Sequence, residues 1–328
     1  MFAPNILITN FCNQNCSFCF ARAEMNDSII DREMELSNFK RILTEMKMKH
    51  HDIDTVKLLG GEPSLHSRFR DIIELSLAAF PYVQIFTNGI FSPEMIFFLQ
   101  TKVPRVKFTF NVMTPGFQLN QKVHKKVTEA IQIFAPLTEV TLSLTFDMHT
   151  DISRALNTVG DETLRIVKSF RLGFSNPIAG ERNYYQFEDF PKVGEQLYRI
   201  MKKIRGLGST ATCSLNCGFT RCMFTDSQYE FLKKSGVEIM GFGCFGKASS
   251  VDIGTDMRAF HCFPLSTKDK KSINNTDISN VDQDFLKKRY EYWSKIRLSV
   301  CVKCPFYGHT PDKCPGPCIA FRMNSPHG

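Results

Sequence analysis

The sequence predicts an α/β fold: a partial (β/α)6 barrel over residues 1–207, followed by a small cysteine-rich domain over residues 208–328. Three observations predict it. Short apolar segments alternate with segments of helical periodicity from Asn5 to about Gly206, which implies successive βαβ units and a parallel sheet. The alternation stops near Leu207, and nine of the twelve cysteines follow it. The other three stand in the run Cys12-Asn13-Gln14-Asn15-Cys16-Ser17-Phe18-Cys19, on the loop after the first strand, which is the end where barrels carry their working residues.

Asn5 to Thr9 is the first strand. Beyond the cysteine run and a polar stretch from Ala23 to Glu35, a helix begins near Ser37. Its Phe39, Ile42, Leu43 and Met46 fall at i, i+3, i+4 and i+7 on one face. Thr55 to Leu59 is the second strand and ends in Gly60-Gly61-Glu62-Pro63. The next helix carries Phe69, Ile72, Ile73 and Phe80, with Ser76 interrupting the apolar face. Tyr82 to Phe86 is the third strand and ends in Thr87-Asn88-Gly89. Ser92-Pro93 reads as an N-cap followed by proline at the first helical position. Arg105 to Asn111 alternates, with Val106, Phe108 and Phe110 on one side. Val123, Val127, Ala130, Ile131 and Phe134 mark a helix. A fifth strand spans Glu139 to Phe146, a helix Ile152 to Lys168, a sixth strand Phe170 to Ser175, and a long helix Phe187 to Arg205. Near the tail, Ser249 to Gly254 and Met257 to Cys262 read as a hairpin.

The length of 328 residues suits one barrel domain and a smaller appendage. No apolar run reaches transmembrane length, and Met1 to Asn10 is too short and uncharged for a signal peptide. The cysteines are therefore expected in a reducing cytoplasm, as metal ligands rather than disulfides. The net charge of +8 is mixed along the chain. It reads as a solvated surface, with attraction for an acidic or phosphorylated partner as the sharper alternative. No nucleic-acid motif stands out, so a metal-stapled nucleic-acid-binding module gains only the basic balance in its favour.

Three thiolates as close as Cys12, Cys16 and Cys19 can hold three irons of a four-iron cluster. The fourth iron would be left to bind a chelating small molecule. The alternatives are a zinc site, for which paired CxxC or Cys/His spacings are more usual, and cysteines that are merely buried. The run, with the aromatic Phe18 before its last cysteine, resembles that of the radical S-adenosylmethionine (SAM) enzymes. Gly60-Gly61-Glu62 after the second strand and Asn88 in the Thr-Asn-Gly turn after the third are similar to motifs of the same family.

The resemblance implies a [4Fe-4S] cluster on Cys12, Cys16 and Cys19 that is chelated by SAM and cleaves it to a 5′-deoxyadenosyl radical. It implies that Gly60, Gly61 and Glu62 receive the amino group of SAM. Ser143 or Thr145 on the fifth strand, and Arg171 on the sixth, would meet its ribose or carboxylate, though all three also read as ordinary strand or surface residues. It implies a reducing partner such as flavodoxin or ferredoxin. His66 after the GGE loop reads as structural.

The tail cysteines are Cys213, Cys217, Cys222, Cys244, Cys262, Cys301, Cys304, Cys314 and Cys318. Their pattern resembles the SPASM or twitch appendage, which implies one or two auxiliary [4Fe-4S] clusters. By that likeness Cys244, Cys262 and Cys318 serve one cluster and Cys301, Cys304 and Cys314 the other. The likeness departs in three places: the spacer from Cys304 to Cys314 is longer, the closing cysteine is missing, and Cys213, Cys217 and Cys222 are extra. At least one of those three is expected to be dispensable for cluster iron. A zinc ribbon is the alternative for the tail. The expected substrate is a ribosomally made peptide, with or without a separate recognition protein. A small metabolite is the alternative, since few residues precede Cys12 to hold a recognition domain.

Overall fold

The computed structural model describes residues 4–22, 25, 32–49, 52–175, 184–216, 218–237, 251–266, 271–273, 278–295, 298–308 and 313–324. Its centre is a sheet of ten strands, ordered β10-β9-β8-β1-β2-β3-β4-β5-β6-β7. The first six in chain order are β1 (Asn5–Thr9), β2 (Thr55–Gly60), β3 (Tyr82–Thr87), β4 (Val106–Asn111), β5 (Val140–Phe146) and β6 (Ser169–Phe174). Each pairs in parallel with the next, as expected of βαβ units.

The helices between them follow the apolar faces read from the sequence. They are α1 (Leu36–Lys49), α2 (Phe69–Ala79), α3 (Pro93–Gln100), α4 (Pro115–Leu119) and α5 (Gln121–Phe134). α1 buries Phe39, Ile42, Leu43 and Met46. In α2 the interrupting Ser76 is buried and donates its hydroxyl to the Ile72 carbonyl at 2.7 Å. A small side chain that turns back onto its own helix is compatible with an apolar face. Ser92 caps α3 by accepting from the Met95 N–H, with Pro93 behind it.

Two expectations need correction. The single helix from Ile152 to Lys168 is two, α6 (Ile152–Val159) and α7 (Asp161–Ile166). Gly160 separates them at φ +81°, a left-handed conformation that glycine adopts without strain and that stops the helix. The long helix α8 (Phe190–Gly206) starts after a 3-10 turn at Phe187–Asp189.

The sheet continues past residue 207. β7 (Thr212–Leu215) extends it parallel to β6. The expected hairpin appears as β8 (Asp252–Ile253) and β9 (Arg258–Phe260), and β8 runs parallel to β1 on the other edge. β10 (Lys271–Ser272) closes that side. Three further helices are α9 (Asp226–Lys234), α10 (Ile278–Lys295) and α11 (Ser299–Val302); α12 (Ile319–Asn324) ends the described chain.

One face of the strands is apolar throughout. Ile6, Ile8, Val56, Leu58, Val83, Ile85, Phe108, Phe110, Leu142, Leu144, Phe170 and Leu172 are all buried. The opposite face carries Asn5, Lys57 and Gln84 in register on β1, β2 and β3, and Asn111, Ser143 and Arg171 in register on β4, β5 and β6. The sheet curves around this polar face. Arg171 on β6 lies over the Phe86 ring of β3, 5.6 Å from its centroid, and acts electrostatically on Lys57 of β2.

Candidate active site

The C-terminal ends of the parallel strands converge on the cysteine loop. After β1, the Phe11 carbonyl accepts the Glu62 N–H at 2.7 Å and the Thr9 carbonyl accepts the Gly61 N–H at 2.9 Å. The loops after β1 and β2 therefore lie backbone against backbone. A Cβ on Gly61 would run into the Phe11 carbonyl and sit 2.8 Å from the Cys12 Cβ. The two glycines permit this approach, which no side chain would allow.

Cys12, Cys16 and Cys19 are half-buried on that loop, with a turn closed by the Cys19 N–H to the Cys16 carbonyl at 3.2 Å. Burial pushes the Cys16 thiol up to about 12; charge on Cys19 and Cys12 adds to the effect and Arg22 opposes it. Burial is also the main cause raising Cys12, with smaller contributions from Glu62 and Cys19. Three mutually interacting sulfur donors on one loop fit an iron–sulfur cluster, whose positive iron would favour the thiolates.

Glu62 is fully buried beside this loop. Its carboxylate accepts from the Ser64 N–H (3.2 Å) and hydroxyl (2.8 Å), the Thr87 hydroxyl (2.9 Å) and the Asn88 N–H (2.7 Å). Burial raises its pKa, while bonds from Asn88, Ser64 and Thr87 oppose the rise. Asn88 reaches across: its Nδ2–H donates to the Asn13 Oδ1 at 2.7 Å. GGE and Asn88 are thus joined to the cysteine loop.

Other anchors carried no sequence signal. Gln14 accepts the Gly116 N–H at 2.9 Å through its Oε1. The Ser17 hydroxyl donates to the Asp147 carboxylate after β5. Arg22 donates to the Cys16 carbonyl at 2.6 Å and the Asn15 Oδ1 at 3.0 Å. Asn10, at the mouth of the loop, is buried and donates to Thr255 in the turn of the tail hairpin at 3.3 Å, while its Oδ1 has no hydrogen-bond partner among the described residues. Such a group is available to a bound ligand.

Phe18 packs against the main core. Ser143 is buried and stands beside Arg171 in register, at mid-height on the polar face. His66 is structural, as expected: its Nδ1 accepts the Arg68 N–H at 2.9 Å, so its Nε2–H faces the Met34 carbonyl at 3.1 Å. At the opposite end of the strands, Lys57, Gln84, Lys107, Glu139 and Thr55 line a cavity of about 250 Å³.

The tail thiols sort into groups. Cys217 and Cys244 lie outside the described residues. Cys213 on β7 is buried, and its sulfur accepts from an Arg205 guanidinium N–H at 3.7 Å. Cys262 and Cys318 flank one small apolar cluster of Leu265, Ile319 and Ala320. Cys222, Cys301, Cys304 and Cys314 influence one another electrostatically.

Part of the chain is similar to known proteins. The profile of the Radical SAM superfamily matches residues 6–134. The 7,8-dihydro-6-hydroxymethylpterin dimethyltransferase of Methanocaldococcus jannaschii is 33% identical over 87 residues, 26% of this chain and 17% of that protein. The sporulation killing factor maturation protein SkfB of Bacillus subtilis is 32% identical over 83 residues, 25% of this chain and 19% of that protein. The chain thus spans under a fifth of the length of these two relatives. The structure of Streptococcus suis SuiB bound to S-adenosylmethionine aligns with a TM-score of 0.67 at 16% identity, over 99% of this chain and 76% of that one. At that identity the likeness is one of fold.

Proposed function

From the radical SAM domain that this chain carries, we propose an enzyme that cleaves S-adenosylmethionine reductively and uses the product radical to modify a ribosomally made peptide. When bound, the [4Fe-4S] cluster supplies the electron and an open iron that SAM can chelate, giving a 5′-deoxyadenosyl radical. The chain's own residues do the rest. Cys12, Cys16 and Cys19 hold the cluster. Glu62 offers a buried carboxylate to the amino group of SAM, and Gly60 and Gly61 let the backbone come close. Asn88 orients the loop through Asn13. Ser143 and Arg171 stand ready for the ribose and carboxylate. The observation that carries this reading is the Gly61–Glu62 backbone docked onto Phe11 beside Cys12.

A peptide substrate is supported by two similar proteins: SkfB is a maturation protein, and SuiB has been solved bound to the precursor peptide SuiA. A small metabolite is the second reading. It is supported by the pterin-modifying relative. No helix among the described residues is long and apolar enough to cross a membrane. The cysteine-rich, cluster-binding reading goes with a reducing cytoplasm and a donor such as flavodoxin or ferredoxin. The residues to 207 would hold SAM, and those from 208 one or two auxiliary clusters.

The test is anaerobic reconstitution with iron and sulfide, then dithionite and SAM. The wild type is expected to release 5′-deoxyadenosine and Cys16→Ala none. Full release by Cys16→Ala would sink the reading. Candidate precursor peptides, assayed by mass shift, separate the two substrates.

A further inference from the structure

We propose that Cys222, Cys301, Cys304 and Cys314 together form one four-thiolate iron–sulfur site, and that Cys213 is not among its ligands. The inference rests on the iron–sulfur reading of the tail and adds the fourth donor, which the sequence pattern left open among three cysteines.

Three segments meet at the site. Cys301 and Cys304 lie on one turn at the end of α11, where the Cys304 N–H donates to the Cys301 carbonyl at 3.0 Å and the Tyr307 N–H to the Cys304 carbonyl at 3.1 Å. Cys314 is laid against that turn by a bridge. Its N–H donates to the Phe306 carbonyl at 2.8 Å, and its carbonyl accepts from the Gly308 N–H at 3.1 Å. The third segment is the 3-10 turn Arg221–Met223. The Arg221 N–H donates to the Cys314 sulfur at 3.5 Å, and its guanidinium lies 4.8 Å from the centroid of the Phe306 ring. Cys222 is the next residue.

This turn does not float. It packs on α8 at Gly194, where a Cβ would sit 2.6 Å from the Met223 carbonyl carbon. The position of Cys222 is thereby fixed by the barrel, while Cys301, Cys304 and Cys314 are fixed by the tail.

The surroundings suit four thiolates. A buried guanidinium, Arg322, is held by the Pro317 carbonyl at 2.8 Å and borders Gly316, as the Cys301 sulfur does. A buried cation offsets the negative charge that four thiolates bring, and N–H groups aimed at sulfur are a normal part of cluster sites. Gly316, at φ +81°, leaves the Cys301 sulfur room that a Cβ would narrow to 3.3 Å.

Cys213 has a different neighbourhood. It packs in the main core on β7. The Arg205 guanidinium that touches it also donates to the carbonyls of Ser209 (2.7 Å), Ala211 (2.9 Å) and Ser235 (2.8 Å). That guanidinium ties together the segments around it, and Cys213 fills space there, the common fate of a buried thiol.

The test uses the full chain, reconstituted anaerobically, with Cys12, Cys16 and Cys19 all changed to Ala. Iron, acid-labile sulfide and zinc are counted, and Mössbauer and EPR spectra recorded. This protein is expected to keep iron. Adding Cys222→Ala should remove about four irons per chain, one cluster's complement, or leave a three-iron EPR signal. Adding Cys213→Ala should change neither count nor spectrum. Should Cys222→Ala misfold by circular dichroism, Cys222→Ser provides the readout: an oxygen donor keeps the size but shifts the EPR spectrum. Unaltered iron and spectra in both Cys222 variants overturn the proposal, as does zinc in place of iron, or iron loss on changing Cys213. Failure here and failure of the proposed function are distinguishable. An iron-free triple variant beside a wild type that makes 5′-deoxyadenosine rejects only the four-thiol site. An iron-loaded, Cys222-dependent triple variant beside an inactive wild type rejects only the SAM chemistry.

Discussion

Glu62 joins three strand ends: its carboxylate collects donors from Ser64 after β2 and from Thr87 and Asn88 at the end of β3, and its N–H donates to the Phe11 carbonyl after β1. Glu62→Gln keeps the shape but turns one acceptor into a donor facing other donors. It is expected to weaken SAM binding at least tenfold by calorimetry, or about 1.4 kcal/mol, and to cost stability of about 1–3 kcal/mol by urea melts. Unchanged affinity would remove Glu62 from the SAM site. Lys57 offers a pH test. Burial first, then Arg171, lowers its pKa, and Asp252 only partly opposes this. The unfolded chain thus binds more protons between the folded pKa and the ordinary 10.5, so the folded state gains stability as pH rises through that window. Lys57→Met should raise the melting temperature at pH 7 by about 2 °C, with the gain shrinking toward alkaline pH. A gain independent of pH would place the cause elsewhere. GGE was legible in the sequence because its glycines and strand context are local. Gln14, Ser17 and Arg22 were not, because two of them find their partners on the loops after β4 and β5, and ordinary polar residues in a loop announce nothing.

At the scale of elements, periodicity located β1 to β6 and the helices between them because one face of each is apolar. It failed where that signal is weak. β7 is four residues with two exposed, β10 is two residues, and pairing with a neighbour, not pattern, makes them strands. The split between α6 and α7 was missed because an isolated glycine inside a helical pattern is usually tolerated. Gly160 gives a clean test of that split. A Cβ there would meet nothing within 4 Å, so Gly160→Ala is penalised by the positive φ alone. The expected loss is about 1 kcal/mol, seen as a lower urea midpoint at unchanged m-value. Gly61→Ala is the contrasting case. Its cost is collision with Phe11 and Cys12, so it is expected to strip iron from the Cys12 loop while circular dichroism of the sheet persists. Full iron retention would mean the two loops can part without consequence.

For the molecule as a whole, the composition changes near residue 207 but the sheet does not end there. β7 forms one edge, and on the other side β8 pairs with β1, with β9 and β10 beyond it. The strand that launches the cysteine loop is therefore held between β2 and a segment from late in the chain. Asn5 of β1 donates to the Asp252 carboxylate of β8 at 2.6 Å, and Asp252 is buried. Removing Asn5 leaves a buried carboxylate with one donor fewer, which costs about 1–3 kcal/mol. Removing both partners should cost less than the sum, since residues in contact couple by about 0.5–3 kcal/mol. A double-mutant cycle of Asn5→Ala and Asp252→Ala, read by urea denaturation, is expected to give such coupling. Because the bond joins early chain to late chain, barrel and tail should also melt in one transition when followed by tryptophan fluorescence and far-UV circular dichroism. The single tryptophan, Trp293, lies in α10, so it reports on the tail, while the ellipticity reports mainly on the barrel. Two separated transitions together with additive variants would show that the β1–β8 contact is incidental and that the tail folds on its own.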